Sequence, residues 1–456
     1  MSLILILIAL IVFIVVATAW GKLNPFLALL LAALMGGLAY GIPLSDLPKT
    51  IGTGFGNTLG GIGIVIALGT IIGVILEKSG GAISMAEGVI GLIGQRFPTL
   101  TVSIIGYLVS IPVFCDSGFV ILNSLKNALA KRMRVSIVAM SVALSTGLYA
   151  SHTFVPPTPG PIAAAGNLGL ADNLGLVILI GLLVAAVSAL GGLLWANIWL
   201  RKDDHLLLKT GEGSELTDPD LDYQALRARY GEIPSASKAF APILVPILLI
   251  CIGSIAAFPA NIFGGGALKA GLMLLGHPIL ALLIGLVVAL PLLKPGNKAQ
   301  AFADQVEAGL IAAAPILLIT GAGGAFGAVL SASSLGTYLG QTLSALGLGL
   351  FMPYVVAAAL KSAQGSTTVS LITTSALVAP ILPQLGLDSE MGRVLTVMAI
   401  GAGGMTVSHV NDSFFWVVSQ FSRFTLPTAF KAQTGGTLVQ GIFAMIAVWV
   451  LSLLLL

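Results

Sequence analysis

Two stretches of this chain, about half its length apart, resemble each other: residues 147–161 read GLYASHTFVPPTPGP and residues 404–412 read GMTVSHVND. In each stretch an apolar helical segment breaks into polar residues around a Ser-His pair. The two histidines are 257 positions apart, and the glycine-rich segments around Gly73 and Gly327 are 254 positions apart. This nearly constant offset predicts a duplicated chain. Interrupted apolar segments at matching places in two halves are typical of the substrate site of a secondary transporter.

The composition predicts an integral membrane protein. Of the 456 residues, 57% are hydrophobic and 9% are charged, which leaves too little polar surface for a water-soluble globule. The net charge of +3 is spread over loops, and no basic run points to nucleic acid. Residues 3–19 lack the positive start and the small-residue cleavage site of a signal peptide, so we expect a retained helix.

Ten apolar segments are close to the length of a transmembrane helix, which needs about twenty residues. They are residues 3–20, 25–42, 60–77, 135–150, 174–200, 239–258, 277–293, 309–331, 391–408 and 434–456. Two further stretches, residues 99–131 and 350–386, have apolar arms of about fifteen residues on either side of small polar residues, too short to cross the bilayer comfortably. We predict that each is a re-entrant hairpin with its tip inside the membrane.

These segments divide the chain into two halves. Residues 1–200 form the first repeat, with a broken helix at 135–170, and residues 239–456 form the second, with a broken helix at 391–420. Hydrophilic residues 201–238 are predicted to be a cytoplasmic linker. Placing the Lys and Arg residues near segment ends in the cytoplasm puts both termini in the periplasm, with five crossings per half. Because five is odd, the predicted fold is all-α with two inverted repeats.

Asp116 lies at the predicted tip of the first hairpin. A carboxylate in hydrocarbon is costly, and ionisable groups inside the membrane are functional by default. We therefore interpret Asp116 as a group that binds and releases a proton. The alternative is a structural helix cap that accepts hydrogen bonds from backbone N–H groups.

Four other ionisable residues lie at or near the same interruptions: His152, His409, Asp412 and Lys361. His152 and His409 occupy matching points of the two broken helices, and an imidazole can relay protons or donate to an anion. The alternative for each is a hydrogen-bonded core residue. Asp412 is the second candidate carboxylate, and Lys361 either pairs with an aspartate or binds an anion directly. The proton-coupling candidates are Asp116, Asp412 and His152, with Lys361 as the charge partner.

Small polar residues at the interruptions are the substrate-binding candidates. Their hydroxyl groups, together with helix N-termini that start at the hairpin tips, favour an anion; close helix packing is the alternative reason for Ser and Gly. The prolines around Thr158 cannot form a regular helix, so we predict an extended segment that lines a cavity. The candidates are Ser117, Gly118, Ser151, His152, Thr158, Gly365, Ser366, Thr367, Thr368, His409 and Asn411.

At these motifs the chain resembles the gluconate permease (GntP) family of the ion transporter superfamily, essentially from end to end. The matching stretches are residues 119–122, 156–157 with Pro159, 365–366 with 368–369, and 408–412 with 415–416. The resemblance implies uptake of sugar acids such as gluconate with protons, in the bacterial inner membrane. It also implies a homodimer in which a domain carrying the hairpins slides against a scaffold, an elevator-type mechanism. Family members usually have glutamate in place of Asp116 and histidine in place of Thr158, which reshapes the pocket.

We therefore predict a proton symporter for a small anionic sugar acid, with the lipid bilayer as its setting and without a cofactor or metal. A sodium-coupled carrier is an alternative, because unwound backbone carbonyls can also hold Na⁺. Another small hydroxy acid, such as glycerate or D-serine, is an alternative substrate. A channel is expected to show rings of charge or a filter, and an intramembrane metalloenzyme needs close ligand spacing that the sequence lacks.

Overall fold

The computed structural model describes residues 2–19, 21–94, 96–200, 219–257, 266–293, 297–333, 349–410 and 412–456. These residues form helices and no strands, so the all-α prediction is confirmed. The longer helices are α1 (Ser2–Ala19), α2 (Pro25–Ala39), α3 (Leu47–Lys78), α4 (Gly81–Ile93), α5 (Pro98–Val109), α6 (Cys115–Met133), α7 (Ile137–Phe154), α8 (Pro159–Asn167), α9 (Leu174–Trp199), α10 (Pro219–Tyr230), α11 (Ala236–Ala257), α12 (Ala267–Leu275), α13 (Pro278–Ala289), α14 (Lys298–Ala332), α15 (Phe351–Gln364), α16 (Thr367–Val378), α17 (Glu390–Met405), α18 (Ser413–Phe421) and α19 (Gly435–Leu455).

In the described residues, each of the ten apolar segments singled out in the sequence lies mainly on a helix, because a helix satisfies every backbone polar group within itself. Within the described residues, six helical segments are long and apolar enough to cross a membrane, or seven if the bent pair α12 and α13 forms one span. Helices α2 and α17 have 15 and 16 residues, fewer than the roughly twenty that a full crossing needs. Five crossings per half therefore stays a prediction.

The same order of elements occurs twice along the chain. A long helix (α3 or α14) is followed by a helical pair (α5–α6 or α15–α16), a broken helix (α7–α8 or α17–α18) and a final helix (α9 or α19). Helices α3 and α14 pack along each other so closely that a Cβ atom on Gly324 would lie 2.0 Å from the Thr58 hydroxyl. Glycine at this crossing lets the two backbones approach. The inverted orientation of the halves stays a prediction.

The proline-rich stretch after α7 is not extended over its whole length, contrary to the sequence-based prediction. Only residues 155–158 interrupt the helix, and α8 begins at Pro159. Pro159 and Pro161 lie in the first turn of α8, where backbone N–H groups have no acceptor within the helix. Proline there loses no helical hydrogen bond, so the stretch forms a broken helix with a short gap.

The chain turns earlier in the first hairpin than predicted. Helix α5 ends at Val109 and α6 begins at Cys115, so Asp116 lies in the first turn of α6 and not in the turn itself. In the second hairpin, Gly365 alone ends α15 with φ of +83° before Ser366 caps α16. Glycine adopts this left-handed conformation freely, which permits a tip of two residues.

Helix α10, within the predicted linker, packs against α6 and bonds to α4. The Tyr223 hydroxyl donates to the Glu87 carboxylate at 2.5 Å, and Arg227 Nε lies 3.4 Å from the same oxygen. The Ser84 hydroxyl donates to the Pro234 carbonyl at 2.6 Å. The described part of the linker is thus attached to the first half. Residues 201–218 lie outside the described residues.

Gly147 in α7 lies against the backbone of α5, since a Cβ atom there would be 2.2 Å from the Ser103 carbonyl oxygen. We expect Gly147→Ala to lower the melting temperature in detergent, because overpacking costs about 1–3 kcal/mol. The control is Gly91→Ala in α4, where an added Cβ meets no atom within 4 Å. The control should leave the melting temperature unchanged or slightly higher, because alanine restricts the unfolded chain. Equal losses in both variants would contradict the close contact.

Candidate functional site

A cavity of about 240 Å³ lies where the first turns of α6, α16 and α18 meet the last turns of α7. It therefore joins both hairpins and both broken helices. Most of its lining is polar, which is unusual for the interior of a membrane protein and marks a functional site. The lining residues are Cys115, Asp116, Tyr149, His152, Gly365, Ser366, Thr367, Thr368, Asp412, Ser413 and Phe414.

Three helix N-termini converge on this cavity. Cys115 begins α6, Ser366 is the N-cap of α16, and Asp412 is the N-cap of α18. The first N–H groups of a helix have no partner within the helix and carry partial positive charge. Their convergence favours a ligand with anionic oxygen atoms.

Asp412 fixes the start of α18 and ties it to the second hairpin. Its Oδ1 accepts a hydrogen bond from the Phe414 N–H at 3.1 Å, and its Oδ2 accepts from the Ser408 hydroxyl at 2.5 Å. The same Oδ2 lies 2.7 Å from Lys361 Nζ, which is fully buried and also donates to the Gly365 carbonyl at 2.5 Å. Lys361 thus occurs in an ion pair, so its charge is balanced inside the protein.

The break between α17 and α18 is held by α19 and the residues before it. Val407 has φ of +60°, a left-handed conformation that β-branched residues rarely adopt. The neighbouring Ser408 is fixed on both sides: its N–H donates to the Thr437 hydroxyl at 3.0 Å, and its carbonyl accepts from the Thr434 hydroxyl at 2.6 Å. Such local strain, maintained by surrounding contacts, is typical of functional sites.

Tyr149 connects the two halves across the cavity. Its hydroxyl group is hydrogen-bonded to the Thr367 hydroxyl at the start of α16. Its ring lies 5.3 Å from the Phe414 ring and 5.8 Å from Lys361 Nζ. The aromatic ring therefore forms one wall of the cavity and covers the Lys361–Asp412 pair.

Asp116 and His152 line the cavity, and each has one buried polar atom without a hydrogen-bond partner among the described residues. The Cys115 thiol lies 3.7 Å from Asp116 Oδ2, whereas Asp116 Oδ1 is buried without a partner among the described residues. His152 Nδ1 is likewise buried without a partner in the described part of the chain. Its ring lies 5.8 Å from the Phe114 ring. Buried polar atoms without partners are costly, so a ligand or water that satisfies them is stabilised.

The cavity brings together seven of the residues singled out in the sequence, and six others do not line it. The seven are Asp116, His152, Gly365, Ser366, Thr367, Thr368 and Asp412. The residues that do not line it are Ser117, Gly118, Ser151, Thr158, His409 and Lys361. Asn411 lies outside the described residues.

Three of the residues that do not line the cavity contact other parts of the protein. The Thr158 hydroxyl donates to the Val155 carbonyl at 2.6 Å, and a Cβ atom on Gly118 would lie 2.8 Å from the Leu148 side chain. His409 Nε2 lies 2.9 Å from the Ser362 carbonyl oxygen. The matching histidines of the two halves therefore have different surroundings in the structure.

Four cavity residues are absent from the sequence-based candidates: Cys115, Tyr149, Ser413 and Phe414. Tyr149 is one helical turn before His152, a spacing that places both on one face of α7. Ser413 and Phe414 follow the Asp412 cap directly. Each of these residues is a sequence neighbour or a helical neighbour of a predicted site residue, and this proximity could have identified it.

Within the described residues, no group of three or more His, Cys, Asp and Glu side chains is placed to hold a metal ion.

Comparison with known proteins identifies the family of the chain. The family model of the GntP family permease matches residues 1–454. A gluconate permease of Pseudomonas aeruginosa is 33% identical over 95% of this chain and 94% of its own length. The D-serine transporter DsdX of Escherichia coli is 34% identical over 98% of this chain and 97% of its own.

The fold also resembles a solved transporter. The crystal structure of the YdaH transporter of Alcanivorax borkumensis superposes with a TM-score of 0.65 at 16% identity, covering 94% of this chain and 98% of that one. At this identity the likeness concerns the fold alone. The match over nearly the whole length and the relatives above 30% identity determine the family. This chain belongs to the GntP family of permeases and is a multi-pass membrane transporter, not an enzyme.

Proposed function

We propose that this permease imports gluconate or a related small hydroxy carboxylate together with a proton across the bacterial inner membrane. The observation that carries the proposal is the convergence of three helix N-termini on one polar cavity. Partial positive charge at these ends favours the carboxylate group of the substrate. The hydroxyl groups of Ser366, Thr367 and Thr368 are suited to bind the hydroxyl groups of a sugar acid.

The charge balance of the cavity supports proton coupling. Two carboxylates, Asp116 and Asp412, stand against one ammonium group, Lys361, which is already paired with Asp412. With Asp116 ionised, an arriving carboxylate meets a net negative site in a medium of low dielectric constant, where repulsion is strong. With Asp116 protonated, the site is neutral and the anion is accepted. Substrate and proton therefore bind together.

The size of the cavity supports a small substrate. At about 240 Å³ it is smaller than the roughly 300–1,000 Å³ of pockets for drug-sized ligands. A short hydroxy acid fits this scale better than a larger organic anion. The proposal therefore includes gluconate and glycerate.

D-serine is the second candidate, favoured by the carboxyl group of Asp116 in the cavity lining. D-serine carries an ammonium group, which would pair with an ionised Asp116 and would remove the need for a proton. The two substrates therefore predict opposite protonation states of Asp116. Asp116→Asn should weaken D-serine binding but leave gluconate binding in place.

The substrate is best identified by counterflow in proteoliposomes. Purified protein is loaded with unlabelled compound and supplied with labelled gluconate, glycerate or D-serine in sodium-free buffer. We expect gluconate or glycerate to be exchanged. Exchange of D-serine alone would replace the substrate proposed, and exchange that needs sodium would replace proton coupling with sodium coupling.

We propose further that the hairpins and broken helices move together against a scaffold containing α3 and α14, within a homodimer whose termini face the periplasm. The close contact between α14 and α16 supports this division, because small residues permit sliding. A Cβ atom on Gly327 would lie 3.6 Å from Ala376 Cβ, within the range of about 3.5–4.5 Å that a disulfide needs.

Cysteines at Gly327 and Ala376 provide a direct test of this motion. The double variant should form a disulfide that stops counterflow, and reduction should restore it. Each single variant serves as the control and should transport before and after oxidation. Full transport by the crosslinked protein would rule out an elevator motion between α14 and α16.

A further inference from the structure

Helix α6 has one accessible face along its whole length. Asp116, Val120, Asn123, Asn127 and Lys131, which we term the α6 stripe, are half-exposed or exposed and recur every three or four residues. This spacing places them on one side of the helix. The flanking residues on the other side, including Leu122 and Leu129, are buried. The stripe begins at the cavity, because Asp116 is a lining residue.

The polarity of the α6 stripe indicates contact with water. At a rise of 1.5 Å per residue, Asn123 lies about 10 Å from Asp116 along the helix and Lys131 about 22 Å. The half-thickness of the hydrocarbon layer is about 15 Å, so Asn123 is at membrane depth if Asp116 is near the midplane. An amide facing lipid is costly. Asn123 and Asn127 are each partly exposed although their Oδ1 atoms are buried without a partner among the described residues, so the accessible part of each amide is expected to face water.

The charges on α6 favour an anion along this face. Lys131, Arg132 and Arg134 are exposed at the end of α6, opposite the cavity. Lys126, only 1% exposed, donates to the Ser141 hydroxyl at 2.7 Å and to the Ser422 hydroxyl at 3.4 Å. No described carboxylate forms a salt bridge with Lys126, so its ammonium form adds positive potential within the protein.

We propose that the α6 stripe lines the water-filled route by which the anionic hydroxy acid moves between the cavity and the cytoplasm. The basic end of α6 attracts the anion at the mouth of the route, and the amides of Asn123 and Asn127 bind its hydroxyl groups on the way. This proposal rests on the proposed function in one respect, the negative charge of the substrate. The existence of the route does not depend on the proposed function. The cytoplasmic side follows from the positive-inside rule.

Thiol labelling tests the route directly. Asn123→Cys and Asn127→Cys are placed in the full protein with Cys115 and Cys251 retained, and the wild type gives the background rate. The controls are Leu122→Cys and Ala128→Cys, at buried positions on the same helix. Inverted membrane vesicles are treated with a membrane-impermeant thiosulfonate reagent carrying a sulfonate group. We expect both stripe variants to react about tenfold faster than the controls, because the reacting thiolate needs water.

Two further measurements distinguish the route from its alternatives. The rate of each reagent is first divided by its rate with free cysteine. By this measure, the sulfonate reagent should react faster with the stripe variants than a cationic thiosulfonate of similar size. Stripe rates equal to those of the buried controls would overturn the proposal, because the face would then be covered by lipid or a partner subunit. Faster reaction of the cationic reagent would overturn a route for anions. Fast labelling without gluconate counterflow would support the route and contradict the proposed substrate.

Discussion

Replacing Asp116 by Asn should abolish the accumulation of gluconate driven by a pH gradient. A gradient of about one pH unit stores about 1.4 kcal/mol per proton, enough for about tenfold accumulation by a symporter that carries one proton per substrate. The Asn side chain is permanently neutral, so the site accepts the anion with or without a pH gradient but cannot carry the proton. Uptake in proteoliposomes should therefore stop at the equilibrium distribution. Counterflow should continue, because it needs binding and movement but no proton gradient.

Asp116→Glu is the matched control for this experiment. Glutamate retains a carboxyl group that can bind a proton. Its pH-driven accumulation should approach that of the wild type. If Asp116→Asn still accumulates gluconate against a gradient, another group carries the proton and the charge argument fails.

Breaking the Lys361–Asp412 pair should strongly destabilise the protein. Removing one partner of a buried pair leaves an uncompensated charge and costs about 3–5 kcal/mol. We expect Lys361→Met and Asp412→Asn each to lower the free energy of unfolding in detergent by this amount. The double variant should lose less than the sum, with a coupling energy of about 2 kcal/mol or more, because it leaves no buried charge.

The Arg227–Glu87 pair provides the control for this double-mutant cycle. Its side chains are 54% and 35% exposed, and exposed pairs contribute about 0–1 kcal/mol. The same cycle with Arg227→Met and Glu87→Gln should give a small coupling energy. Comparable coupling energies in the two cycles would show that burial does not govern the Lys361–Asp412 interaction.

The positions of the helices could be predicted from the sequence, whereas their ends could not. Apolar segments long enough for a membrane define α9 and α14 without further information, because hydrocarbon allows no other backbone conformation. The ends depend on local features. The prolines at Pro159 and Pro161 were interpreted as helix-breaking, although at the first turn they are compatible with a helix.

The candidate site was predictable in part for a similar reason. Polar residues at membrane depth are rare, so Asp116, Asp412 and His152 stand out in the sequence. The pairing of Lys361 with Asp412 joins residues 51 positions apart on different elements, and its geometry follows only from the packed hairpin. Tyr149 was missed because an aromatic residue in an apolar helix is usually a packing residue, although its spacing from His152 places both on one face of α7.

Proton flux measures most directly whether substrate and proton move together, as we propose. Proteoliposomes containing a pH-sensitive dye are prepared in sodium-free buffer without an initial pH gradient, and gluconate is added outside. We expect acidification of the lumen that requires gluconate, begins at once, and is absent for Asp116→Asn. Gluconate entry without a change in luminal pH, or entry that occurs only with sodium, would contradict this proposal.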